Sequence, residues 1–314
     1  MPKHPTNPNL KIELNKEKAE ELIIKILEMR HTFPCFNHPH AYPDAIIPEG
    51  VEKGSLQHRL FLYYGCVTDS QRKSIDAYAS VRSLNNAVSL ETLQEIERKR
   101  LEELVDKHIG DNKKRNVTNA LHRNSRTLQE KYQGDPRNMF KGFTAEPDIK
   151  EVKEAQEEIG ELFLYGPGKS ALLLKNFARF KIWDIPEPMI PVKIDLHAAR
   201  ISLGYPDLFE FYDGDEKIKY KDYKTGVQTI DVKKFNQRLQ DLFLEITSEK
   251  GYSGIELDDA MWLIGSKFCY HNNLSFCSTN CLVGCNERPD SVDKNTYWFP
   301  GTEIRTGIGQ GLLF

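Results

Sequence analysis

The chain has 314 residues, 39% of them hydrophobic, and a formal net charge of -3. That length supports one large core or two packed lobes, and the mild negative charge excludes a global electrostatic argument for nucleic acid, so any such binding must come from a local patch. No run approaches the roughly 18 apolar residues of a membrane span. The start, Met1-Pro-Lys-His-Pro-Thr-Asn-Pro-Asn, lacks an apolar signal core, so a reducing, intracellular setting, cytoplasmic or nucleoid-associated, is expected.

From Asn15 to Met29, Ala19, Leu22, Ile23, Ile26 and Leu27 recur at helical spacing and predict an amphipathic helix. The segment from His31 to Pro43 carries too many prolines to continue it. Its histidines and Cys35 read as a rigid connecting loop before they read as metal ligands. Leu60-Phe-Leu-Tyr-Tyr-Gly-Cys-Val is a second apolar region, in which Tyr63 and Tyr64 are core candidates. Thr68 or Asp69 then serves as N-cap for a helix through Ile75, Tyr78 and Ala79. A further helix is expected from Ser89 through His108, buried along Leu93, Ile96, Leu101 and Leu104.

Between Lys107 and Lys141 the charge turns positive. Lys107, Lys113, Lys114, Arg115, Arg123, Arg126, Lys131, Arg137 and Lys141 stand against Asp111, Glu130 and Asp135. A basic stripe for a phosphate backbone and a solvated helix face both fit this pattern. An acidic stretch from Glu146 to Glu161, helical from Ile149, leads into Leu162-Phe-Leu-Tyr-Gly-Pro-Gly-Lys-Ser-Ala. The glycines flanking the proline make a tight turn, and Ala171 to Arg179 is strongly helical. Such a helix-turn-helix hairpin offers backbone N–H groups to a phosphate at the start of its second helix. The G-x-x-x-x-G-K-[ST] spacing of a phosphate loop is missing.

After a proline-containing linker, Asp195 stands as the N-cap of a helix, and on spacing alone it is a cap and nothing more. Asp207 to Lys224 reads as a small hairpin or loop, Phe235 to Lys250 as helix, and Asp258 to Gly265 as the helix leading to Cys269. Four of the six cysteines follow as Cys269-x7-Cys277-x3-Cys281-x3-Cys285. Clustered thiols in a chain without a secretory signal indicate a metal or iron-sulfur site. The single compact loop favours a [4Fe-4S] cluster over zinc, whose ligands usually come as two short arms. Helix dominates throughout, and the short strand candidates do not add up to a sheet. The expected class is all-α.

Three segments together resemble the helix-hairpin-helix DNA glycosylases, in the branch with an iron-sulfur cluster loop that includes endonuclease III and the adenine glycosylase. They are the hairpin around Leu162 to Ala171, the segment Val192-Lys-Ile-Asp-Leu-His-Ala-Ala-Arg, and the four-cysteine loop after a helix with Trp262 and Gly265. The likeness spans roughly Leu56 to Cys285. It implies a two-lobed fold with Asp195 as the catalytic carboxylate, Gly166, Gly168 and Lys169 holding a phosphate with help from Lys175 and Arg179, Gln71 inserted beside a flipped base, and a [4Fe-4S] cluster (or zinc) on Cys269, Cys277, Cys281 and Cys285. The family spaces its cysteines x6, x2, x5. If Gly166 matches the last hairpin glycine, Gly168 takes the place of the Schiff-base lysine and Lys169 lies one residue out of register, unless a one-residue gap restores it as a catalytic amine.

The resemblance therefore implies a monofunctional, water-using DNA base-excision glycosylase, monomeric, acting on duplex DNA with a damaged or mismatched base. A non-catalytic binder of distorted DNA or structured RNA, and an N-glycosidase for a modified nucleoside, are the alternatives. The expected divisions are an N-terminal segment over 1–55, a helical lobe with the basic stretch over 56–160, the hairpin and aspartate region over 161–268, and the cluster loop and tail over 269–314.

Overall fold

The computed structural model describes residues 10–38, 41–69, 74–110, 114–218, 232–268 and 281–283. The chain divides into two compact units, one formed by Met1–Ala41 with Ile194–Phe314 and the other by Tyr42–Lys193. In chain order the first unit begins with β1 (Leu10–Leu14) and α1 (Lys16–Thr32). The second unit holds α2 (Leu56–Thr68), α3 (Ser74–Ala87), α4 (Arg98–His108), α5 (Lys114–Tyr132), α6 (Ile149–Gly160) and α7 (Gly166–Arg179). The first then resumes with α8 (Leu196–Gly204), β2 (Phe209–Asp213), β3 (Glu216–Ile218), α9 (Val232–Lys250) and α10 (Gly254–Leu263).

In the first unit, Asn15 caps α1 by accepting from the Lys18 N–H at 3.1 Å, and α1 buries Ala19, Leu22, Ile23, Ile26, Leu27 and Met29 against α9 and α10. Helix α10 is the central element. Ile255, Leu257, Ala260, Met261 and Leu263 are all buried, and Asp258 and Asp259 are buried with them. A π-helical turn, Ile264–Phe268, continues it and packs on α8. A Cβ on Gly265 would lie 2.4 Å from the His197 Cβ and 2.9 Å from its Cα, so only glycine permits this approach. Gly265→Ala is expected to cost about 1–3 kcal/mol, measured by urea unfolding.

The helical prediction needs one correction here. β1, β2 and β3 form a three-stranded antiparallel sheet, with Leu10 opposite Asp213 and Leu14 opposite Phe209. The β2–β3 hairpin turns at Gly214, whose φ of +66° suits glycine. β1 has five residues and its partner is far along the chain, so local alternation could not reveal the pairing.

In the second unit α2 is central. Leu60 through Tyr64 are all buried, and α2 packs on α3, α5 and α7. The tyrosine hydroxyls that this burial strands are satisfied: Tyr63 donates to the Asn124 carbonyl at 3.2 Å, and Tyr64 lies 3.0 Å from the Ser125 hydroxyl. Arg59 makes a two-pronged pair with Asp135, at 2.7 and 2.6 Å. The expected single helix from Ser89 to His108 is broken into a 3-10 turn, Leu90–Gln94, and α4. Extended backbone at Glu97 separates the two, and the Gln94 side chain anchors the turn on the Gly134 carbonyl at 2.9 Å. Thr68 ends α2 instead of capping α3, its hydroxyl donating to the Gly65 carbonyl at 3.0 Å.

Candidate functional site

The expected hairpin is formed by α6 and α7. Asp148 caps α6, accepting from the Glu151 N–H at 2.9 Å. The connection is tight because Leu164 and Gly166 both take left-handed backbone, with φ of +64° and +62°. Asn124 of α5 clamps it: its amide donates to the Phe163 carbonyl at 2.9 Å and accepts from the Phe163 N–H at 3.0 Å. Gln156 donates to the Pro167 carbonyl at 3.0 Å, and the Ser170 hydroxyl to the Gly166 carbonyl at 2.9 Å. The N-cap residue of α7, Tyr165, makes no side-chain cap bond among the described residues. The first-turn N–H groups of α7, Gly166 and Gly168 among them, thus carry the partial positive charge of a helix start, which suits an anion.

Lys169 follows in the same first turn and points inward. It is 9% exposed, and its Nζ donates to the Val67 carbonyl at 2.9 Å. Val67 lies in the last turn of α2, where carbonyls lack intrahelical partners and favour a cation. Burial nevertheless dominates, lowering the Lys169 amine to about 8, with Asp69 pulling the other way. The Asp69 carboxylate accepts from Lys193 Nζ at 2.9 Å and from the Ser74 hydroxyl at 3.1 Å. A Cβ built on Gly168 would sit 3.8 Å from the Lys193 Cγ, so Lys193 passes beside the hairpin. The arrangement is a desolvated amine next to a neutralised ion pair. It can supply an uncharged nitrogen nucleophile near neutral pH. Sequence reasoning missed Asp69 and Lys193 as its neighbours. Lys193 lay in the segment that drew attention to Asp195, but nothing local signalled its partner.

Lys175 and Arg179, one turn apart on α7, both bind Asp44, at 3.0 and 3.3 Å from its Oδ2. Lys175 is 4% exposed, so reaching a phosphate would require breaking this bridge. Burial raises the Asp44 carboxyl, but Lys175 and Arg179 more than reverse that and hold it down at about 2. A depressed carboxyl contributes stability above its ordinary value near 3.8 and loses it as pH falls toward the folded value. Asp44→Ala would take the shared carboxylate away from the buried Lys175 and the half-buried Arg179. We expect a loss of about 3–5 kcal/mol at neutral pH, and in an acid titration the gap from wild type should narrow as pH drops from about 4 to about 2. Thermal melts across that range check both.

In the other unit, Asp195 caps α8, its Oδ1 accepting from the His197 N–H at 2.8 Å and the Ala198 N–H at 3.2 Å. The capping role read from the sequence is therefore met. Asn236 of α9 donates to the Ile194 carbonyl at 3.3 Å and holds the residue before it. Gln71, Cys269, Cys277 and Cys285 lie outside the described residues. Cys281 is described and is half-buried. Among the described residues no group of His, Cys, Asp and Glu is placed to hold a metal, and no helix is long and apolar enough to cross a membrane.

No protein-family model matches the sequence, and no curated protein matches it. Among solved structures the chain is similar to endonuclease III in a trapped covalent intermediate with DNA, an estranged-adenine complex. The TM-score is 0.53 at 14% sequence identity, over 90% of this chain and 100% of that one. At that identity the likeness is one of fold alone, a multi-helix architecture like that of the matched structure.

Proposed function

We propose that this chain is a DNA base-excision glycosylase. The observation that carries the reading is Lys169, a buried amine held near pH 8 in the first turn of a hairpin helix, in a chain with the fold of endonuclease III. The target base leaves the stack so that its glycosidic bond can be reached. The hairpin N–H groups of Gly166 and Gly168 hold a backbone phosphate. The Asp195 carboxylate stabilises positive charge developing on the sugar.

The sequence alone favours water as nucleophile; the desolvated amine favours Lys169 itself. Its neutral nitrogen forms a bond to the sugar C1′ as the glycosidic bond breaks and the base departs with the bonding pair. The departed base takes up a proton. The nitrogen sheds one, and its lone pair opens the C1′–O4′ bond, O4′ taking up a proton. This leaves a protonated imine that activates the C2′ proton, whose loss expels the 3′ phosphate and nicks the strand. The four-thiolate set Cys269, Cys277, Cys281 and Cys285 has the donor chemistry for a [4Fe-4S] cluster or zinc, which would tie its loop together. Iron and zinc analysis of anaerobically purified protein decides between them.

The test is a panel of duplexes carrying uracil, thymine-guanine and adenine-8-oxoguanine mismatches, oxidised pyrimidines or an abasic site, each read with and without hot alkali and with borohydride. Direct nicking with a borohydride-trapped adduct is the expected result. Product only after alkali would return the reaction to water. No product on any duplex would overturn the reading in favour of binding alone or of another nucleoside substrate.

A further inference from the structure

We propose that the exposed face of α5 is a second contact for a DNA phosphate backbone, continuous with the hairpin turn. The inference rests on the charge and placement of α5 and stands apart from the base-release reading. α5 carries Lys114, Arg115, Arg123, Arg126 and Lys131 against a single acid, Glu130, in a chain whose net charge is -3. Val117, Ala120, Leu121 and Leu128 are buried, which turns Arg123 and Arg126 outward, where both are exposed.

The neighbouring helix shows what a merely solvated charged face looks like. On α4, Arg98 pairs with Glu102 at 3.1 Å and Arg100 with Glu103 at 2.8 Å, the alternating pattern that stabilises exposed helices. α5 does not follow it: among the described residues neither Arg123 nor Arg126 has an ion pair. His122 lies in the same field. Burial lowers its imidazole, and Arg126 and Arg98 lower it further. Glu130 is the one carboxylate on the helix. Arg98, already shared between Glu102 and Asn119, is not counted on.

Two contacts tie this face to the hairpin. The Arg123 guanidinium lies over the Phe163 ring, 4.5 Å from its centroid, and Asn124 clamps the Phe163 backbone from the same helix. Arg123 therefore stands at the hairpin turn, with Arg126 about 4.5 Å further along the helix. Such contacts set affinity and footprint and carry no base preference.

The experiment is fluorescence anisotropy with a labelled, undamaged DNA duplex titrated at several KCl concentrations, using wild type, Arg126→Gln and Arg123→Gln/Arg126→Gln. The logarithmic salt slope should shallow by roughly 0.9 for the single variant and about twice that for the double, with the melting temperature of Arg126→Gln unchanged because its side chain is exposed. Arg126→Gln keeps the inference testable if losing the Arg123 stack on Phe163 disturbs the hairpin. Unaltered slopes in both variants, or no binding of the duplex by wild type, would overturn it. Absence of base release with these slope changes present would count against the proposed reaction and leave this surface standing.

Discussion

Lys169→Met is expected to abolish strand nicking and borohydride trapping, a loss on the order of 10³-fold or more, while binding of undamaged duplex stays within a few-fold. Methionine fills the amine's space with an unbranched apolar chain, and it removes a group whose charged form is penalised by burial. The folded protein should therefore tolerate it. The pH dependence gives an independent signature. Nicking should rise as pH climbs through about 8 and then level off, because the nucleophile is the deprotonated form. Stability carries the matching sign. The folded value, about 8, lies below the ordinary 10.5, so the unfolded chain binds more protons between the two, and wild type should gain stability relative to Lys169→Met as pH rises across that window. Asp69→Asn sharpens the test. Asp69 raises the Lys169 value and Lys193 lowers it, so removing the carboxylate should move the nicking profile to lower pH. A structural lysine would show the stability change but neither shift in the nicking profile.

The parts of this site that local chemistry dictates were legible in the sequence. The apolar run announces a helix and Asp195 a cap, and both stand where the residues imply; the turn announced by Gly166-Pro-Gly falls slightly earlier, at Leu164–Gly166, and the glycine-proline-glycine run itself opens α7. What gives Lys169 its character is not local. Its carbonyl partner Val67 lies 102 residues upstream, and the Asp69–Lys193 pair joins residues 124 apart. Lys175 and Arg179 carry the charge a phosphate contact needs, but Asp44, which pairs with both, comes from the Pro-rich segment before α2. Spacing reports which way a side chain leaves its helix, and only packing decides what it meets. The register argument against Lys169 failed to decide its role for the same reason. Counting from the hairpin glycine displaces the amine by one residue, whereas its burial against α2 depends on how two helices pack.

Asp195→Asn is the second large effect, because this exchange separates the carboxylate's observed capping role from the catalytic role proposed for it. As a cap, Asp195 accepts from the His197 and Ala198 N–H groups, and asparagine accepts as well at such a position. Losing the negative charge beside the positive end of α8 should cost about 0.3–1 kcal/mol, small enough to leave the unit folded at room temperature. In the proposed reaction asparagine cannot replace its negative charge opposite a cationic sugar, and base release should fall by about 10²–10⁴-fold with duplex binding retained. Asp195→Ala removes both roles and should cost a further ~1 kcal/mol for the lost cap, with activity no lower than in the asparagine variant. The comparison of the two is decisive. If activity follows stability, mild loss for asparagine and severe loss for alanine, Asp195 is a helix cap and the reaction lies elsewhere. If both variants are equally inactive while their melting temperatures differ, the negative charge itself acts on the sugar.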